Sequence, residues 1–232
     1  MTIDDLHTYL FTGSPHALSP QLKDWLASSR RFAAFVGDAR SKIRKKLRAA
    51  LNPESAADLM LELETAYLLV QERQLSIDYE PQTKQARRPD FAVSFTTHST
   101  FMLEVTRLRL QAESAPSRPE RLADTVCSKL GQLLPQHSNV LLIGSPAPVT
   151  QDDLHAVMTG LQRRAERGDA ALLERFRFRD RGDFFGYYRR LSEVLVCLPR
   201  RAPLTVWVNP QAKHPLPGKV RTALYRSQAC PT

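Results

Sequence analysis

Asp90 and Glu104 stand fourteen residues apart, each in or beside a segment with strand character. Hard carboxylate oxygens of this kind hold Mg²⁺ while several of its waters are kept. A held ion stabilises charge developing at phosphorus and lowers the pKa of an attacking water. The spacing leaves room for a hairpin through Thr96-Thr97-His98-Ser99-Thr100, and strands joined that way bring both carboxylates to one end of a sheet. Glu104 interrupts the apolar run Phe101-Met102-Leu103-Glu104-Val105, where an unpaired charge is costly if buried. A functional site accounts for that placement, and so does the exposed face of an edge strand. With a period of two, Phe101, Leu103 and Val105 share one face and Met102, Glu104 and Thr106 the other. Asp90 alone is less specific, because Pro-Asp is a common turn dipeptide.

The elements that must position these residues can be read from the surrounding pattern. Residues 1–50 read as helical, with Trp25, Phe32, Phe35 and Val36 as apolar anchors. Asn52-Pro53-Glu54 is a helix start, with Pro at the first helical position and acid near the N-terminus. The helix it opens runs to about Gln74, and Leu59, Leu63, Ala66 and Val70 form one buried stripe. Strand-like segments follow at Leu75–Glu80, Asp90–Phe95 and Phe101–Leu108, with a polar, basic loop over Pro81–Pro89. After an Ala/Ser/Pro connection at 111–118 come a helix to Leu134, a buried strand at Asn139–Gly144 and a helix at Gln151–Arg167. Late strands at Glu193–Leu198 and Leu204–Val208 precede a weak helix near Lys219–Arg226. This order predicts an α/β fold around a mixed sheet. It divides the chain into an N-terminal helical extension, 1–50, and an α/β domain, 51–232.

Taken together, a helix carrying Glu, then Tyr79-Glu80-Pro81, Arg88-Pro89-Asp90-Phe91 and Phe101-Met102-Leu103-Glu104-Val105-Thr106, resemble the PD-(D/E)xK nuclease superfamily. Uncharacterised bacterial proteins of that kind look similar. The resemblance covers residues 59 to about 145. It implies a restriction-endonuclease-like core ordered αβββαβ, with Asp90 and Glu104 as ligands of Mg²⁺ or Mn²⁺. An acidic residue of the preceding helix would add a ligand or orient one. Glu62 falls between Ala66 and Leu69 on the helical wheel and Glu64 between Met60 and Leu68; Glu62 is the preferred candidate.

The chain departs from that pattern at Thr106, where such enzymes place a lysine whose ammonium positions water or stabilises charge at phosphorus. Three readings stay open. Lys129, on the next helix and three residues before Gln132, could supply the ammonium. Arg107 or Arg109 could do so, although strand alternation turns both away from Glu104. Otherwise the chain binds nucleic acid without cutting it.

With 33 Lys and Arg against 24 Asp and Glu, the formal charge is +9. Such a surplus favours a polyanion, because cationic side chains displace condensed counterions from nucleic acid. The run Lys42-Ile43-Arg44-Lys45-Lys46-Leu47-Arg48 puts Ile43 and Leu47 on one helix face with cations over the others. Lys42, Arg44, Lys45, Lys46, Arg48 and Arg88 are therefore the candidate nucleic-acid contacts, and a solvated surface helix is the bland alternative. The Arg/aromatic segment 175–190 could stack bases, but core closure is the favoured reading.

Cys127, Cys197 and Cys230 form no CxxC pair, so neither a disulfide framework nor a structural zinc site is indicated. No GxxxxGK[ST], GxGxxG or GxSxG is present, and His98, His137, His155 and His214 lack ligand spacing. No signal peptide or membrane-length apolar run is read, which leaves the cytoplasm as the expected compartment. The expected partner is nucleic acid, DNA before RNA, with no membrane and with a homodimer left open. A metal-dependent nuclease is the leading expectation. A non-catalytic nucleic-acid-binding module is the alternative, and a partner-binding protein with a relic core is the third.

Overall fold

The computed structural model describes residues 2–12, 15–82, 88–96, 98–109, 117–198 and 201–228, with the side chains of 201–203 set aside. Parts of the loop (83–87), the hairpin turn (Thr97) and the 111–118 connection lie outside the described residues, as does Cys230.

Three helices open the chain: α1 (Ile3–Phe11), α2 (Ser19–Ser28) and α3 (Arg30–Ala49). Helix α4 (Pro53–Gln71) follows. Its N-terminus is fixed as the sequence predicts, with the Asn52 side chain accepting from the Ser55 N–H and Pro53 at the first position. Leu59, Leu63, Ala66 and Val70 are all buried. Then come β1 (Leu75–Tyr79), β2 (Phe91–Phe95), β3 (Ser99–Arg107), α5 (Arg118–Leu130), β4 (Ser138–Gly144) and α6 (Gln151–Glu166). Short helices α7 (Ala170–Arg175) and α8 (Arg181–Tyr188) lead to β5 (Leu191–Leu198), β6 (Arg201–Val208) and α9 (Gly218–Gln228). The run α4-β1-β2-β3-α5-β4 follows the helix and strand order expected.

Among the described residues the strands form one mixed sheet of order β1-β2-β3-β4-β5-β6. The β1/β2, β2/β3 and β5/β6 pairs are antiparallel, while β3/β4 and β4/β5 are parallel. Alternation along the strands divides the core between the two faces. Leu103, Val140, Leu142 and Leu195 belong to the apolar cluster shared with α1–α4 and α9. Leu141, Ile143, Val194 and Val196 belong to the cluster shared with α5–α8. Residues of the first three helices, Phe32, Val36, Ile43 and Leu47, lie in the same apolar cluster as Leu63 and Leu69 of α4.

Two local features set α4 and α9. A Cβ on Gly144 would come within 2.6 Å of Leu61 Cδ2, so the missing side chain lets α4 sit close over β4. Glu193, fully buried on β5, accepts from Arg221 Nε at 2.6 Å and from the Tyr225 hydroxyl at 2.8 Å, tying α9 to the sheet. The aromatics Phe178, Phe184 and Tyr188 are buried in the second cluster, as the core-closing reading of segment 175–190 expects. Arg175, Arg177, Arg179, Arg181 and Arg189 remain exposed around them. No helix of the described residues is long and apolar enough to cross a membrane.

Candidate active site

The register of the sheet lines up three carboxyl-bearing residues. Phe91 pairs with Leu103, so the preceding residue, Asp90, comes opposite Glu104. On the other side Tyr79 pairs with Phe91, and the Glu80 N–H donates to the Asp90 carbonyl at 2.8 Å. Glu80, just past β1, and Asp90, just before β2, thus line up with Glu104, which lies inside β3, three residues before that strand ends at Arg107. Pro89 ends the β2 ladder by lacking an N–H. Beyond that point the Val105 N–H donates to Asp90 Oδ2 at 2.8 Å, which fixes the Asp90 carboxylate against β3. Asp90 therefore caps the sheet end as well as facing the site.

Glu104 pairs in register with Leu141, on the face packed by α5. It is 8% exposed and lies on β3, between β2 and β4, so the exposed edge-strand explanation of its charge is excluded. Lys129 Nζ on α5 donates to Glu104 Oε1 at 2.7 Å and to Gln132 Oε1 at 3.3 Å. Lys129, in the last turn of α5, delivers the ammonium to the strand position whose neighbour, Thr106, has none. Gln132 joins it from the turn just past the helix, which ends at Leu130 and not at Leu134 as expected. Arg107 pairs with Glu54 and Asp58, and Arg109 with Asp58, so both arginines are engaged at the start of α4.

Glu62 of α4 approaches from the opposite face. Its Oε1 lies 2.5 Å from Lys46 Nζ, which also reaches Glu80 at 3.0 Å and Asp90 at 4.0 Å. The basic run on α3 is divided by helix geometry. Lys42 and Lys46, four apart, face the strand ends. Lys42 donates to the Tyr79 and Glu80 carbonyls, and Lys46 sits over the Tyr79 ring. Arg44 faces α1, over the Tyr9 ring and 3.3 Å from the Thr12 hydroxyl. Lys45, Arg48 and Arg88 are exposed. Of the six expected nucleic-acid contacts, those three remain open to solvent, while Lys42, Arg44 and Lys46 are engaged within the protein. Glu64 is buried in α4.

Electrostatics reflect the crowding. Burial, then the charges of Glu104 and Glu62, push the Asp90 carboxyl up to about 8. Burial likewise raises Glu62, against the pull of Lys46. Burial works against the Lys46 charge, yet Glu62 and then Asp90 and Glu80 hold its titration above the ordinary lysine range.

Asp90, Glu104 and Glu62 offer the hard oxygens that Mg²⁺ takes, and Mg²⁺ needs only one or two carboxylates when waters and phosphate fill the rest. The like charges that raise Asp90 are the surroundings a divalent cation would relieve. The donor set therefore fits such an ion. Among the described residues, no three His, Cys, Asp or Glu side chains are drawn together closely enough to form a ready-made metal cage.

Sequence reasoning did not find Glu80, the inward role of Lys46, or Tyr79, whose buried hydroxyl approaches Glu62 without completing a hydrogen bond. The one available signal was the i,i+4 spacing of Lys42 and Lys46 beside buried Ile43.

No protein-family model matches this chain, and no curated protein matches it. Among solved structures it is similar to a chain of the CdiA-CT/CdiI toxin and immunity complex from Burkholderia pseudomallei. The two are 13% identical, the match covers 68% of this chain and 91% of that one, and the TM-score is 0.36. A likeness that slight carries no argument about function.

Proposed function

We propose that the chain is a Mg²⁺-dependent phosphodiesterase of the PD-(D/E)xK kind, restriction-endonuclease-like in fold, that hydrolyses DNA. The observation that carries this reading is Lys129 Nζ at 2.7 Å from Glu104, which in turn stands opposite Asp90 in the sheet. An ammonium thus arrives beside the carboxylate pair although Thr106 has replaced the motif lysine. Asp90 and Glu104 would hold the ion with Glu62 assisting, and the bound ion would supply Lewis acidity and a lowered water pKa. Lys129, held by Glu104 and Gln132, presents fixed positive charge where phosphate charge would grow. Asp90, pinned by the Val105 N–H, keeps its carboxylate in place without a flexible side chain having to be ordered. Exposed Lys45, Arg48 and Arg88 are left to contact the sugar–phosphate backbone.

A second reading, a nucleic-acid-binding module that does not cut, is favoured by the two lysines that already neutralise the carboxylates. Incubation with DNA and with RNA, with and without Mg²⁺ or Mn²⁺, separates the two. Metal-dependent cleavage that Asp90→Ala abolishes supports the enzyme. Tight, salt-sensitive binding without cutting supports the module.

A further inference from the structure

We infer that Lys46 is a resident cation filling a second cation position, formed by Glu62, Glu80 and Asp90, and that taking its ammonium away opens that position to a divalent metal ion. This rests on the proposed carboxylate site but goes beyond it, because it brings in α3 and gives Glu80 a cation-holding role that the sequence resemblance does not assign to it.

Lys46 sits as a cation among three carboxylates, two in direct contact and the third at the limit of an ion pair. The Lys46 Nζ lies 2.5 Å from Glu62, 3.0 Å from Glu80 and 4.0 Å from Asp90. These carboxylates come from α4, the end of β1 and the start of β2, so three elements converge on one point charge. An ammonium has three donors, and the two short contacts use two of them. Lysine is a compact, strongly hydrated point charge on a flexible stem, suited to such a position. An independent observation marks the same place as a ligand position. Tyr79 is 2% exposed and its hydroxyl has no hydrogen-bond partner, although it stands among the same carboxylates and approaches Glu62. A buried hydroxyl left without a partner is costly, and a hydrated ion between Glu62 and Glu80 would give it one.

The backbone is arranged to keep this position. Glu80 adopts φ 45°, in the left-handed region that non-glycine residues rarely visit. Its N–H is taken by the Asp90 carbonyl and its own carbonyl by Lys42 Nζ at 3.0 Å. Lys42 and Lys46 therefore act one helical turn apart on the same bend, one holding the main chain and the other the side chains. Two further consequences follow. An ammonium cannot be stripped by a chelator, so this half of the site keeps its charge balance when metal is removed. It also cannot acidify a water as a divalent ion does, so water activation is confined to the Asp90–Glu104 half.

Mn²⁺ titrated calorimetrically into chelator-treated wild type, Lys46→Met and Lys46→Arg tests this, with Lys45→Met controlling for loss of a nearby positive charge. Lys46→Met is expected to bind one more Mn²⁺ per chain than wild type, while Lys46→Arg and Lys45→Met match wild type. Equal stoichiometry in Lys46→Met and wild type would overturn the inference, as would the same gain in Lys45→Met. No Mn²⁺ in wild type with one in Lys46→Met still supports it, while counting against the separate ion proposed between Asp90 and Glu104. Should Lys46→Met be too unstable to titrate, its melting temperature is measured with and without Mn²⁺. Recovery on adding the metal, absent in wild type, supports the inference; an unchanged deficit overturns it.

Discussion

Lys129 Nζ lies 2.7 Å from Glu104 Oε1 across the junction of α5 and β3, where the carboxylate side chain is only 10% exposed. A charged acceptor that far from solvent depends on its partner. Lys129→Met is expected to cost about 1–3 kcal/mol, the range for stranding a buried polar group. Lys129→Met/Glu104→Gln should recover more than half of that, because the stranded charge is gone. Urea denaturation of the wild type, both single variants and the double variant measures the coupling. Additive losses would show the pair to be energetically idle.

Lys129 and a lysine at position 106 should be interchangeable. Thr106 is half-buried and shares the strand face of Glu104. Lys129→Met is expected to lower DNA cleavage by about 10²–10³-fold, the usual cost of one charge-stabilising donor. Adding Thr106→Lys to that variant should restore much of the loss. A double variant as slow as Lys129→Met would show that the ammonium must come from α5.

The raised Asp90 titration sets a pH dependence of stability. Its folded value, about 8, stands above the ordinary 3.8, so the folded state keeps a proton that the unfolded chain has released. That stabilisation is complete below about pH 3.8 and is lost as pH rises through about 8. Asp90→Asn keeps an oxygen for the Val105 N–H and does not titrate. In metal-free protein it should be more stable than wild type at pH 8, by at least about 1.4 kcal/mol, the equivalent of one pKa unit. The two should converge towards pH 4. A constant difference across that range would contradict an Asp90 carboxyl raised by burial and by the charges of Glu104 and Glu62.

Gly144 is where α4 meets the sheet. Gly144→Ala sets a methyl group against buried Leu61, and overpacking of that kind costs about 1–3 kcal/mol. Because Glu62 is next to Leu61 in α4, the same change should also weaken any activity that needs Glu62. Thermal denaturation and the cleavage assay check the two effects separately.

Much of this was legible in the residues. The Asn52-Pro53 start, the stripe Leu59-Leu63-Ala66-Val70 and the strand alternation around Glu104 are local patterns with local causes, and each is found where it was expected. The meeting of Lys129 and Gln132 was expected from helix spacing, but α5 ends at Leu130, and it is the turn beyond, with the Gln132 N–H on the Lys129 carbonyl, that brings them together. What could not be read was the lateral alignment of Glu80 with Asp90. Nine residues, Pro81–Pro89, separate them, and a loop that long does not fix strand register as a two-residue turn does. The inward contacts of Lys46 were hidden for a related reason. A cation on an amphipathic helix looks solvated until the helix has a neighbour, and that neighbour, the end of β1, is more than thirty positions away in the chain.

The most direct test is plasmid DNA cleavage by wild type, Asp90→Asn and Glu104→Gln in parallel, each with Mg²⁺, with Mn²⁺ and with chelator. The proposed site requires cleavage by wild type only when metal is present, and loss of that cleavage in both variants while each still folds. Cutting that persists in chelator or in either variant, or a folded wild type that binds DNA and never cuts it, would contradict a metal-dependent nuclease centred on Asp90 and Glu104.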